Sequence, residues 1–372
     1  MRVRTAVGAR TSRVPTVATT VLGGLLGLLA LLLPLLAVPA PSAANDAGAG
    51  GAGGPRAAYR LEVVTANLDG AERSRGGDKL GTVQRVVRGS APDVVLLQEV
   101  CWKHFRRFIE ANRSWIGAGE SWRDHFAFQK LRYHSGCASG KGVQRHGLVI
   151  ASRHRLSEVV SHRLPNPHSR TPHRFRVMCA DVAVRGPLLA YAPDAVRACT
   201  TQLRAGRGRA SGAGPARQAQ AVAVRRVLAP IIERDRAAVV LGGDFNAVPQ
   251  KGTMSQLYRL SRHGFLTNQR GLFFEADQTG AYASTPTGRA AGLEQIVCRL
   301  TPRVCRWGDP THRSRGQARK LDYVFFGVNR AEPAATSGLF GTRHHLGGDV
   351  VRSPSATHEV YLGWADLQLD LS

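Results

Sequence analysis

Residues 238–249 read AVVLGGDFNAVP. Four consecutive apolar residues suit a strand covered on both faces. Two glycines then lead into Asp244, and Asp244 and Asn246 project to the same side of an extended chain. Three other segments share this format. VVTANLDG (63–70) delivers Asn67 and Asp69, DVVLLQEV (93–100) ends in Gln98 and Glu99, and KLDYVFF (320–326) sets Asp322 beside an aromatic strand. Any one such end is an ordinary place for a turn. Four in one chain point to a site.

Carboxylates at the ends of buried strands are costly unless something neutralises them, and a hard cation is the usual partner. Glu99, Asp69, Asp244, Asn67 and Asn246 offer oxygen ligands, which suits Mg²⁺, Mn²⁺ or Ca²⁺ rather than zinc. These residues are spread widely along the sequence, and no linker divides the body, so one closed domain is expected over 59–372. Strands are predicted at 60–68, 93–100, 146–152, 175–184, 196–203, 238–244, 321–326 and 360–369. Helices are predicted at 78–89, 102–112 and 215–234, the last with Ala219, Val222, Ala223, Val227 and Ile231 on its apolar face. The implied class is α/β, with two packed sheets and outer helices.

The chain has 372 residues, 43% of them hydrophobic and 21% charged, which excludes a disordered polymer, a collagen-like repeat and a polytopic membrane protein. Lys and Arg number 51 against 26 acids, a formal charge of +25. A surface this basic attracts polyanions. Six arginines lie in 204–226, and Trp102-Lys-His-Phe-Arg-Arg107 follows Glu99 directly; both clusters could neutralise backbone phosphates.

The first 44 residues combine four arginines, no acid, an apolar run over 17–38 and a small-residue exit at Ser42–Ala44, the pattern of a cleaved signal peptide. An uncleaved anchor is the alternative, given the length of the run. Residues 45–58 form a Gly/Ala-rich flexible linker. An exported product with no stable membrane span follows. Six cysteines (Cys101, Cys137, Cys179, Cys199, Cys298 and Cys305) in an exported chain argue for three disulfides, with chain neighbours favoured as partners. Gly136–Lys141 is one residue short of a phosphate loop, and His168 and His173 are too loosely placed for a zinc pair.

The order of motifs (Asn, then Gln-Glu, then Gly-Asp-x-Asn, then Asp-Tyr, then a late His) resembles the endonuclease/exonuclease/phosphatase superfamily over essentially 59–372. That resemblance implies a DNase I-like fold, a four-layer sandwich of two mixed sheets flanked by helices. It also implies divalent-metal-dependent hydrolysis of phosphate esters by a monomer. Carried over by position, Glu99 is the main metal ligand, with Asn67, Asp69 and Asp244 beside it. Asp244 and Asn246 position or deprotonate water and hold phosphate. His358 is the catalytic imidazole, oriented by Asp322.

The chain departs from the pattern twice. Thr357 stands where the family usually has Asp before the closing His; His344, His345 and Asp349 are rivals, but only His358 precedes an alternating strand. CTTQL (199–203) places Gln202 where the family often has His, so Gln202 binds phosphate without a proton to give, and general-acid help worth ~10²–10⁴ in rate is missing or moved. The expected substrate is an anionic phosphodiester, nucleic acid first. A sphingomyelinase-like lipid phosphodiesterase and a non-catalytic binding protein on the same scaffold are the alternatives.

Overall fold

Alternating burial along the strands builds this molecule in layers. The computed structural model describes residues 56–70, 76–134, 137, 144–167, 175–184, 196–206, 212–234, 237–259, 271–276, 309–314, 317–330, 346–352 and 358–370. Residues 1–44, read as a signal peptide, and Cys298, Cys305, Thr357, His168, His173, His344 and His345 lie outside them. The elements are β1 (Arg56–Asn67), α1 (Gly76–Ser90), β2 (Val94–Cys101), α2 (Trp102–Ala111), β3 (Phe126–His134), β4 (Gln144–Ser152), β5 (Leu156–Arg163), β6 (Arg176–Val182) and β7 (Val196–Gln202). They continue as α3 (Ala213–Glu233), β8 (Ala238–Asp244), β9 (Phe273–Glu275), β10 (His312–Ser314), β11 (Gln317–Arg319), β12 (Asp322–Gly327), β13 (Leu346–Val351) and β14 (Val360–Asp370). β1 starts at Arg56, three residues inside the stretch read as linker, because Arg56–Ala58 pair with the end of β14.

Two six-stranded sheets result, ordered β13-β14-β1-β2-β4-β3 and β5-β6-β7-β8-β12-β9. Each holds one parallel pair: β1 with β2, and β7 with β8. Parallel neighbours need a crossover, and α1 and α3 supply them. Because successive side chains on a strand face opposite ways, Val63, Leu96 and Ile150 meet Ala198, Val240 and Val324 between the sheets. Val64, Val95 and Leu97 pack outward under Val83, Phe105 and Phe108 of α1 and α2. Val239, Leu241 and Phe325 do the same under Val224 and Leu228 of α3. The four layers of the sandwich are these two sheets and their helical covers.

The apolar face of α3 is turned by about one residue from the sequence reading. Ala221, Val224, Leu228 and Ile232 are buried, whereas Val222, Val227 and Ile231 are only half-buried. The buried Gln220 belongs to this face too; its Oε1 accepts from the Arg204 amide at 2.9 Å. A polar residue with a backbone partner breaks the apolar periodicity that the sequence presents.

Gly242 sets the sheet spacing at one point: a Cβ there would lie 2.7 Å from Leu96 Cδ1. Beside it the buried Gln98 donates to Thr65 Oγ1 at 3.1 Å and, across the interface, to Thr200 Oγ1 at 2.9 Å. Disulfides join Cys101 to Cys137 and Cys179 to Cys199, as read, the second pair directly opposed on β6 and β7.

Candidate active site

Sheet register decides which strand ends meet. In the second sheet Gln202, Asp244 and Asp322 are successive partners across β7, β8 and β12. In the first sheet Asn67 ends β1 beside Gln98. A bulge between Leu97 and Val100 turns the end of β2, and Glu99 takes a positive φ of 54°. Bulges of this kind re-aim a side chain. Asp69 and Asn246 also adopt positive φ, 43° and 50°. Strained backbone of this sort costs ~1–3 kcal/mol per residue and clusters at functional sites.

The Asn67 amide joins the two sheets here. Asn67 Nδ2 donates to Glu99 Oε1 at 3.2 Å and to Asp244 Oδ2 at 3.1 Å, while its Oδ1 accepts from the Asp69 amide at 2.9 Å. Asn246 caps the other side of Asp244: its backbone N–H donates to Oδ1 at 2.8 Å and its Nδ2 to Oδ2 at 2.9 Å. His358 Nδ1 donates to Asp322 Oδ2 at 3.0 Å, leaving Nε2 turned to Asp244 Oδ2 at 4.0 Å. Thr311 Oγ1 accepts from the Asp322 backbone amide at 2.9 Å and fixes the start of β12. Gln202 hydrogen-bonds to Glu99 Oε1. The structure therefore brings Asn67, Glu99, Gln202, Asp244, Asn246, Asp322 and His358 into one cluster. Asp69 borders it: its charge acts on His358 while its carboxylate pairs with Lys79.

Burial alone would raise Glu99, but the hydrogen bond and charge of His146, then Gln202 and Asn67, bring it down to about 2. Burial pushes Asp244 up to about 7, with the Asp322 charge adding to it and His358 opposing. For His358 burial works downward, yet the charges of Asp322 and Asp244 prevail and raise it to about 9. With no cation alongside, the cluster at neutral pH thus pairs an imidazolium with a carboxylate poised to exchange a proton.

Three residues lie outside every motif, and Arg217 of the arginine cluster joins them. His146, buried on β4, sits with Nε2 3.8 Å from Glu99 Oε2. Lys79, buried on α1, binds Asp69 and the Asn67 carbonyl. His312 stacks edge-on against His358, ring centroids 4.5 Å apart. Arg217 lies close enough for the Asp244 charge to act on it and donates to the Arg204 carbonyl at 2.9 Å. Arg217 and Arg204 belong to the arginine cluster noted in 204–226; the other three carry no motif, being single His or Lys residues at element starts.

The donor set fits a hard divalent cation. Glu99 and Asp244 present two carboxylates on either side of the Asn67 amide, whose Nδ2 bridges them, and the cluster holds no thiolate. Asp244, Asp322 and His358 also hold potential ligand atoms within 4.8 Å of one another, although Asp322 is engaged by His358.

A model of the Endonuclease/Exonuclease/phosphatase family matches residues 64–342. No curated protein matches the sequence. Among solved structures, an endonuclease/exonuclease/phosphatase from Beutenbergia cavernae is 19% identical, with 83% of this chain and 72% of that one covered and a TM-score of 0.49. The human Nocturnin catalytic domain with bound sulfate is 14% identical, with 84% and 97% covered and a TM-score of 0.48. TDP2 from C. elegans is 14% identical, with 83% and 75% covered and a TM-score of 0.49.

Proposed function

Since the chain belongs to the endonuclease/exonuclease/phosphatase family, we propose that it is a divalent-metal-dependent phosphodiesterase that cuts nucleic acid, exported and acting as a monomer. The observation that carries this reading is the His358–Asp322 pair facing Asp244, with Glu99 one amide away. Glu99, Asn67 and Asp244 would hold the cation, with Asp69 at the edge and its charge already met by Lys79. When bound, the cation neutralises charge building on the phosphoryl oxygens.

The chain's own groups supply the rest. Asp244 takes the proton of the attacking water; the Asn246 backbone N–H fixes its Oδ1 and the Asn67 amide its Oδ2. A cation beside Asp244 draws its pKa back down and keeps it ionised. Asp322 holds the Nδ1 proton of His358, so Nε2–H faces the reacting centre and can hydrogen-bond a phosphoryl oxygen or protonate the leaving alkoxide. That imidazolium covers the acid role for which Gln202 is unsuited. Gln202 instead steadies Glu99. The excess of bases supports a polyanionic substrate over a zwitterionic lipid.

The test is a substrate panel: plasmid DNA, RNA, sphingomyelin and bis(4-nitrophenyl) phosphate, each with Mg²⁺, Mn²⁺, Ca²⁺ or EDTA. Metal-dependent cleavage of nucleic acid is expected. Release of phosphocholine without nuclease activity would move the assignment to lipid, and inactivity on every diester would end it.

A further inference from the structure

The geometry points to a second nucleic-acid site: a groove between α2 and the edge strand β3 that stacks the bases of a single strand. The chemistry of the occupant rests on the nucleic-acid reading above; the groove itself does not depend on hydrolysis.

Three local patterns build it. Trp102 and Phe105 stand three apart on α2 and so share a face. Phe126, Phe128 and Lys130 alternate along β3 and face that helix. Trp122, from the turn before β3, closes the side, and Arg145 at the start of β4 closes the end. Together they line a recess of about 380 Å³. Phe105 and Phe126 form a buried floor, whereas Trp102, Trp122 and Phe128 are half-buried. The rings brace one another, Trp102 to Phe128 at 5.1 Å and Trp102 to Phe105 at 5.3 Å. Lys130 and Arg145 are exposed at the rim, with the Arg145 guanidinium 5.3 Å from the Trp102 ring.

Charge and shape select the ligand. An apolar molecule would take two exposed cations out of water and offer them no anion. A free phosphate has no use for five rings. A base with its backbone phosphate satisfies both, by stacking and by ion pairing. A membrane surface is disfavoured because the rings line a recess; among the described residues the one large hydrophobic exposed outright is Val159, on β5 of the other sheet.

The groove runs along its sheet, with Trp102, Lys130 and Arg145 towards the catalytic end and Phe126 away from it. Trp102 follows Glu99 by three residues, and Arg145 precedes His146, whose side chain points through the opposite face. A strand seated in the groove would pass over the sheet rim towards the cleft.

Binding of a short fluorescein-labelled oligothymidylate to the full chain in EDTA, read by anisotropy, tests this. Trp122→Ala and the exposed pair K130E/R145E should each weaken it about tenfold. The charge pair should also flatten the salt dependence by about two ions. Mg²⁺-supported hydrolysis of bis(4-nitrophenyl) phosphate should be unchanged in both variants. Wild-type affinity in both would overturn the groove, as would displacement of the oligonucleotide by phosphatidylglycerol vesicles with no response to the variants. A chain that hydrolyses no diester but loses oligonucleotide binding in the variants would overturn the catalytic reading and leave the groove standing.

Discussion

Asp244 and Asp322 are direct partners across β8 and β12, yet their side chains do different work. Asp322 is committed to His358 Nδ1, while Asp244 faces the open side of the imidazole. His358→Ala should therefore cost ~10²–10⁴ in turnover with cation affinity retained. Glu99→Gln should instead raise the cation concentration needed for half-maximal rate. Titrating Mg²⁺ against each variant separates the two roles, and equal behaviour of both would refute them. His358 also sets a pH limit. Its raised pKa keeps the proton on up to about 9, so activity that needs imidazolium is present below that value and lost above it. An alkaline limb that persists in the residual activity of His358→Gln would assign it to another group. This cluster was legible because its members border apolar runs, Asn67, Glu99, Gln202 and Asp244 at their ends and Asp322 and His358 at their starts. His146 and Lys79 were not, because a single His opening a strand and a single Lys inside a helix look like surface residues until the fold buries them.

At the scale of elements, strands buried on both faces stood out in the sequence. Residues 238–244 were placed without error because every one is buried. β5 was missed: as an edge strand it is mostly exposed, and LSEVVSHR carries little apolar signal. In β13 Leu346 is followed by Gly347 and Gly348, which weaken strand propensity. The bulge in β2 was invisible, since one extra residue leaves the apolar run intact. Gly242 is the other feature that only the packed sheets explain. Gly242→Val should overpack the interface and lower stability by about 1–3 kcal/mol, measurable by urea unfolding. No loss would mean that Leu96 moves aside freely.

On the scale of the whole molecule, one buried carboxylate ties the first sheet together. Asp93 accepts from Tyr59 at 2.6 Å, the Glu62 amide at 2.8 Å and Arg153 Nε at 2.9 Å. Burial opposes its charge, but His154, the Glu62 amide, Tyr59 and Arg153 hold the pKa below its ordinary 3.8. A depressed folded-state pKa contributes stability that is present above 3.8 and lost as pH falls below it. Asp93→Asn should cost about 3 kcal/mol at neutral pH and blunt the acid-induced loss, as followed by circular dichroism. An unchanged acid transition would place that proton elsewhere.

The Asn67 bridge carries a further consequence. The reacting groups ride on both sheets, and the Asn67 and Gln202 carboxamides span the seam between them. Mild denaturant is expected to loosen this seam before either sheet loses its secondary structure. Turnover should then fade well ahead of any loss of ellipticity, making enzymatic rate a strain gauge for the contact between the halves.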